Sequence, residues 1–190
     1  MRRALLISLR MAVVTIVLVG VVYPVLVWGI GTVLFPKQAA GSLVTGANGT
    51  VVGSALIGQQ FTGDRYFLPR PSAAGAGYDA MASSPSNLGP TSKALFDAVS
   101  KRVADTVNTD GATKGSVPVD MVTASGSGLD PDISPDDAAL QVARVAKARN
   151  MSVDAVRQLV AQHTRGRDLG FLGEPRVNVL ELNMALDGAK

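Results

Sequence analysis

The chain has 190 residues, with 18 Lys and Arg against 15 Asp and Glu and no cysteine. Setting aside Arg2, Arg3 and Arg10 leaves 15 basic residues against 15 acidic ones, a balance that excludes the cationic footprint of a nucleic-acid binder. The lack of cysteine excludes a disulfide framework, and a single histidine, His163, leaves a transition-metal centre without its usual ligands.

From Met11 to Phe35 the chain carries no Asp, Glu, Lys, Arg or His. An apolar run of roughly 20 residues suffices to cross a hydrocarbon core, so this segment predicts a transmembrane helix. It is too long for the apolar region of a cleaved signal peptide, and no small-residue cleavage site ends it. One helix encloses no pore, and ion pathways need charged or strongly polar groups within the membrane. Arg2, Arg3 and Arg10 precede the span and only Lys37 closely follows it. The positive-inside rule then places the N-terminus in the cytoplasm and the larger part outside. Pro24 sits mid-span and removes a backbone donor opposite the Gly20 carbonyl. Gly20, Pro24, Val27 and Gly31 share one helical face, a stripe on which a partner helix can pack closely.

About 155 residues follow the anchor, enough for one compact domain. Thr50 to Phe61 mixes β-branched residues with glycines and predicts one or two short strands. Leu68 to Ser92 is a long tract of Pro, Gly, Ser and Ala, and loops of this length are usually functional or disordered. Arg70, Tyr78, Asp79 and Asn87 within it argue for an ordered contact loop. Thr91 or Ser92 begins a helix to about Asn108 with Leu95, Val99 and Val103 inward, and a turn follows.

Ser134-Pro135-Asp136-Asp137 sets a capping hydroxyl, a first-turn proline and two first-turn acids in order, a helix start. The predicted inward stripe is Ala139, Val142, Ala143 and Ala146, ending at Arg149-Asn150. Ser152 caps a further helix with Val153, Val156, Leu159 and Val160 inward, and Val177 to Leu180 predicts a strand before a short terminal helix. The fold class expected is α+β: a single N-terminal transmembrane helix, then one compact extracytoplasmic domain with short strands and about four helices. The expected divisions are 1–10 cytoplasmic, 11–35 transmembrane and 36–190 extracytoplasmic.

Searches for chemistry return little. No phosphate-binding Gly-x-x-x-x-Gly-Lys loop is present, and Ser125-Gly126-Ser127-Gly128 lacks the spacing of a nucleophile elbow. Asp130, Asp132, Asp136 and Asp137 offer oxygens to calcium, although turn and helix-start roles explain them as well. His163 with a serine such as Ser127 is the remaining catalytic pairing, that of a membrane-tethered periplasmic hydrolase.

A set of segments stands out: Tyr23-Pro24 with Trp28, Gly53 to Phe61, Tyr66-Phe67 with Arg70 to Ala74, Gly77-Tyr78-Asp79, Ser84 to Ser92, Thr123 to Pro131, Gln141 to Ala146 and Leu172 to Leu180. Together they resemble the KdpC family, accessory chains of the Kdp potassium-transporting P-type ATPase. The resemblance implies an inner-membrane complex that imports potassium using ATP. Its other members are a channel-like membrane subunit, a P-type ATP-hydrolysing subunit and a small single-helix subunit. It further implies a non-catalytic accessory, a catalytic chaperone that raises the ATP affinity of the hydrolytic subunit through a ternary complex. The family's nucleotide idea falls here on Gln59 and Gln60. An extracytoplasmic domain conflicts with direct ATP contact, so the physical expectation is a domain that braces the channel-like subunit through the Arg70–Ser92 tract.

Overall fold

In the computed structural model, residues 1–188 are described; Ala189 and Lys190 of the expected domain lie outside the described residues. The chain divides into two units, Met1–Leu43 and Val44 onward.

The first unit is a helix long and apolar enough to cross a membrane, running from Arg2 to Leu34. It consists of α1 (Arg2–Val17), a π-helical turn (Leu18–Val22) and α2 (Tyr23–Leu34). The widened turn follows from Pro24. Proline has no N–H to give the carbonyl four residues back, so the ladder loosens just before it, and the Tyr23 N–H bonds Leu18 O instead. Thr32 returns its hydroxyl to the carbonyls of Trp28 (2.9 Å) and Gly29 (3.1 Å), which satisfies a polar group inside an apolar segment. A one-turn helix α3 (Pro36–Ala39) follows.

Two short strands come next, β1 (Leu43–Thr45), whose first residue ends the first unit, and β2 (Val51–Ser54), paired as a hairpin. The strand signal of Thr50–Phe61 therefore holds for its first half, and Ala55–Phe61 is irregular. Residues 55 to 92 form no strand or helix. Then come α4 (Lys93–Asp110), α5 (Val119–Val122), β3 (Asp132–Ile133), α6 (Pro135–Arg149), α7 (Val153–His163), β4 (Thr164–Arg165), β5 (Arg176–Asn178) and α8 (Val179–Gly188). Strand β5 is central in an antiparallel sheet of order β3-β5-β4, with Val177 opposite both Ile133 and Thr164.

Helix starts obey their caps. The Ser134 hydroxyl accepts from the Asp137 N–H (3.0 Å) and the Ser152 hydroxyl from the Ala155 N–H (3.1 Å). Asn150 ends α6 in the left-handed region at φ 55°, a conformation asparagine tolerates. The terminal helix begins two residues sooner than expected, at Val179. The side-chain carbonyl oxygen of Asn178 accepts from the Glu181 N–H (3.1 Å) and so starts the helix directly from the strand.

The core lies between α6, α7, α8 and β5. It holds Phe67, Ile133, Ala138, Val142, Val145, Ala146, Val156, Val160, Val177, Val179, Leu182 and Leu186. The inward face of α6 is rotated from the expected stripe. Ala139 and Ala143 are exposed, while Ala138, Val142, Val145 and Ala146 are buried beside Asp137, Gln141 and Arg144. An apolar-only reading misplaced the face because three of its positions are polar.

Leu182 has no accessible surface, so Leu182→Ala empties a packed site. We expect a loss of about 2–5 kcal/mol in unfolding free energy, measured by urea denaturation of the detergent-solubilised chain.

Candidate functional site

The site is the Leu68–Ser92 tract and the side chains that hold it. Its root is fixed by two carboxamides. Asn183 of α8 accepts from the Phe67 N–H (2.8 Å) and donates to the Phe67 carbonyl (2.9 Å). Gln141 of α6 accepts from the Leu68 N–H (2.7 Å) and donates to the Leu68 carbonyl (3.1 Å). In extended chain one residue's N–H and C=O point to the same side and the next residue's to the opposite side. The two amides therefore grip adjacent residues from opposite faces, each doing what a paired strand would do.

Gln141 is itself held at both ends. Its oxygen also accepts from Arg144 Nη2 (2.6 Å), and its nitrogen donates to Asp137 Oδ1 (2.6 Å). Arg144 in turn bonds Asp110 Oδ1 through Nε (2.7 Å) and the carbonyls of Asp64 and Tyr66 through Nη1 (3.0 Å each). Both members of the Arg144–Asp110 pair are nearly sealed, at 5% and 2% side-chain exposure. Breaking such a pair by removing one partner strands a buried charge. Arg149 extends the grip, donating to the carbonyls of Arg65 (2.6 Å) and Leu186 (2.9 Å) and to Asp187 (2.8 Å), with its guanidinium 5.0 Å from the Tyr66 ring centre.

Beyond the root the tract folds back on Ser125–Asp130. Arg70 pairs with Asp130 at 2.8 Å. The Tyr78 hydroxyl donates to the Arg70 carbonyl (2.7 Å) and the Tyr78 N–H to the Ser72 hydroxyl (2.8 Å), which itself donates to the Gly128 carbonyl (2.6 Å). Burial pushes the Tyr78 phenol up to about 12, partly opposed by the Arg102 guanidinium, so it stays a neutral donor. Gly128 sits at φ 68°, and a Cβ there would meet Ser84 O at 2.6 Å and Ala74 N at 2.7 Å. Only glycine allows this approach.

The predicted residues thus divide. Arg70 and Tyr78 brace the tract from within. Asp79 accepts from the Met81 N–H (2.9 Å) and closes a turn. Asn87 is exposed at φ 53°, and Met81 and Leu88 are exposed on the same tract, at 96% and 41%. Gln59 is half-buried against Gly53 and lines a groove of about 340 Å³ with Val52, Phe61, Leu180, Met184 and Asp187; Gln60 is exposed. Among the described residues no lysine or arginine lines that groove, although a triphosphate calls for cations. In the helical unit, a Cβ at Gly31 meets nothing within 4 Å and one at Gly20 meets only Ile16 Cγ2 at 3.9 Å. The helix itself does not require glycine at either place. His163 Nδ1 lies 2.8 Å from the Leu159 carbonyl, and the Ser127 hydroxyl accepts from the Leu129 N–H (3.0 Å); the two do not bond one another.

A charged cleft of about 540 Å³ lies between α5 and the loop before β5, lined by Arg70, Asp120, Asp130, Asp132, Glu174 and Arg176. Its charges are largely spent on the fold. Asp120 accepts from the Ser134 N–H (2.6 Å) and hydroxyl (3.0 Å), Arg176 approaches Asp132 at 3.4 Å, and Glu174 pairs with Arg167 at 2.7 Å. Burial raises the Asp132 carboxyl, a shift opposed by the Asn178 amide. Among the described residues no group of three or more His, Asp or Glu is placed to hold a metal ion. Sequence reasoning missed Asn183 and the burial of Asp137, Gln141 and Arg144.

The arrangement defines a class: a helix apolar enough to span a membrane, followed in the chain by a small α+β domain whose buried polar groups hold a long irregular tract. The chain belongs to the KdpC family, whose model, described as K+-transporting ATPase, c chain, matches residues 5–188. It is 58% identical to the potassium-transporting ATPase KdpC subunit of Gemmatimonas aurantiaca over 188 residues, covering 98% of this chain and 92% of that one. Identity to the KdpC subunit of Koribacter versatilis is 53% over 190 residues, covering 100% and 97%. To that of Mycobacterium tuberculosis it is 55% over 188 residues, covering 98% and 99%.

Asn183→Ala leaves two buried backbone groups of Phe67 unpaired, each costing about 1–3 kcal/mol. We expect limited proteolysis to cut between residues 68 and 92 in this variant well before it does so in the unaltered chain. His163→Ala is expected to leave the cleavage pattern unchanged.

Proposed function

We propose that this chain is the accessory subunit of an ATP-driven potassium import complex of the bacterial inner membrane, itself carrying out no chemistry. The N-terminus is cytoplasmic and the domain stands outside, as the three arginines before the span favour. The helix packs against membrane partners along Gly20, Pro24 and Gly31, where the fold leaves open space beside the glycines. The domain braces the channel-like subunit with the outward face of the tract, at Met81, Asn87 and Leu88, while Arg70, Tyr78 and Asp79 hold that face in shape.

The single observation carrying this reading is the double carboxamide grip on Phe67 and Leu68. A tract with no strand or helix keeps one conformation because buried side chains, not sheet partners, bind its backbone. Preorganised loops lose little entropy on docking, which suits a brace. Any gain in ATP affinity of the P-type subunit then passes through the membrane helices and not through nucleotide bound at Gln59 or Gln60. The groove beside Gln59, largely apolar and with no basic side chain among its described residues, supports that division.

Affinity purification of the chain from native membranes in mild detergent tests the assembly. We expect the channel-like, P-type and small single-helix subunits to co-purify. Met81→Asp with Leu88→Asp should cut recovery of the channel-like subunit by about tenfold, a change of about 1.4 kcal/mol. Undiminished recovery would remove the tract from the interface. His163→Ala is expected to leave potassium uptake intact; abolished uptake would instead support the tethered-hydrolase reading.

The orientation has its own test, helped by the absence of native cysteine. A Lys114→Cys variant should react with a membrane-impermeant thiol reagent in cells whose outer membrane alone is permeabilised. Labelling only after inner-membrane lysis would place the domain inside.

A further inference from the structure

Asp137 is a carboxylate that the fold buries without completing its bonds. It is 1% exposed, Oδ1 accepts from Gln141 Nε2 at 2.6 Å, and Oδ2 has no partner. The charged groups facing it are Asp120 on α5, Asp110 at the end of α4 and Arg70 from the tract, with Gln141 on its own helix. Neither cation in this network bonds it: Arg70 Nε is buried without a partner, and its charge only partly offsets the surrounding carboxylates. Arg70 pairs with Asp130 and Arg144 with Asp110. An ionised Asp137 thus leaves one charged oxygen in a sealed space beside two further carboxylates, whereas a protonated one is a neutral group.

We infer that Asp137 is a proton-operated latch on the Leu68–Ser92 tract. Its carboxyl touches Gln141, and Gln141 holds both backbone groups of Leu68, so lifting the tract root off α6 is the motion that lets water reach Oδ2. The closed tract holds the proton and the opened tract releases it. Burial, aided by Asp120 and Asp110 and opposed by Gln141 and Arg70, pushes the Asp137 carboxyl up to about 7. A group whose pKa is raised by folding stabilises the closed state fully at low pH and loses that contribution as pH rises toward the folded value. Opening therefore grows with pH across the range from the ordinary carboxylate value to about 7, and levels above it. With the domain outside the cell, the latch reads the acidity of the medium. That consequence rests on the proposed orientation, whereas the latch belongs to the domain alone.

Hydrogen exchange of the full chain in detergent, followed by mass spectrometry between pH 5 and 8 and corrected for intrinsic exchange, measures the opening of peptides within 68–92. We expect opening to rise by up to about tenfold per pH unit below 7 and then flatten. Asp137→Asn, neutral at every pH, should show a flat profile. Asp132, the other carboxyl that burial raises, lies on β3, so the readout is confined to the tract amides. A pH-independent tract in the unaltered chain, or an unaltered slope in Asp137→Asn, would overturn the latch. Should Asp137→Asn fail to fold, infrared spectra in an Asp132→Asn background decide. A neutral buried carboxyl band persisting at pH 6 and lost near 7 supports the latch, and its absence at pH 6 refutes it. Reversed membrane orientation would leave all of these readings untouched.

Discussion

The domain depends on one substitution of bonding partner: side-chain amides stand in for a strand. Phe67 and Leu68 bring four backbone polar groups into the interior, and the three-stranded sheet of two- and three-residue strands is too small to receive them. Asn183 and Gln141 receive all four. A half-satisfied buried network is worse than none, so the scaffold behind each amide matters as much as the amide. Asn183 sits on a helix started by Asn178, whose own amide nitrogen bonds the Ala55 carbonyl (3.0 Å) and Asp132 (3.1 Å). Gln141 is fixed by Arg144 and Asp137. The hydrophobic contribution of Phe67, with no accessible surface, is realised only while both grips hold.

This explains the spending of charge. A near-neutral domain of this size has few cations, and Arg144, Arg149 and Arg70 each bond backbone or carboxylate in the tract or beneath it. The charged cleft beside Arg70 follows the same pattern, with its carboxylates capping Ser134, pairing Arg176 or pairing Arg167. The polar interior of the molecule holds a shape. Membership of a transporter's subunit family gives that shape a setting.

Much of the fold was legible because it is written in short-range chemistry. The anchor shows as an uncharged apolar run, and α6 and α7 show as a serine followed by first-turn acids. Motif resemblance alone identified the family, ahead of any geometry. The rest was hidden for physical reasons. Ala139 and Ala143 look apolar and face solvent, because an alanine gains little from burial, whereas Gln141 and Arg144 look polar and face inward because they have backbone to bind, and Asp137 faces inward where it accepts from Gln141. Their spacing of four and three residues, alongside Ala138, Val142 and Val145, was the available signal. Asn183 had none, since its partner lies 116 residues away. Ala55–Phe61 carries one β-branched residue, Ile57, and forms no strand.

That separation also fixes a timetable. The tract is made early, yet Asn183, which holds its approach, is made 116 residues after Phe67. Contacts so distant in sequence close late and slowly. During synthesis Leu68 and the segment after it can engage Gln141, Asp130 and Gly128, but Phe67 lacks the partner for both its backbone groups until α8 is made. A chain interrupted before Asn183 has its long apolar helix complete while the grip on Phe67 is missing.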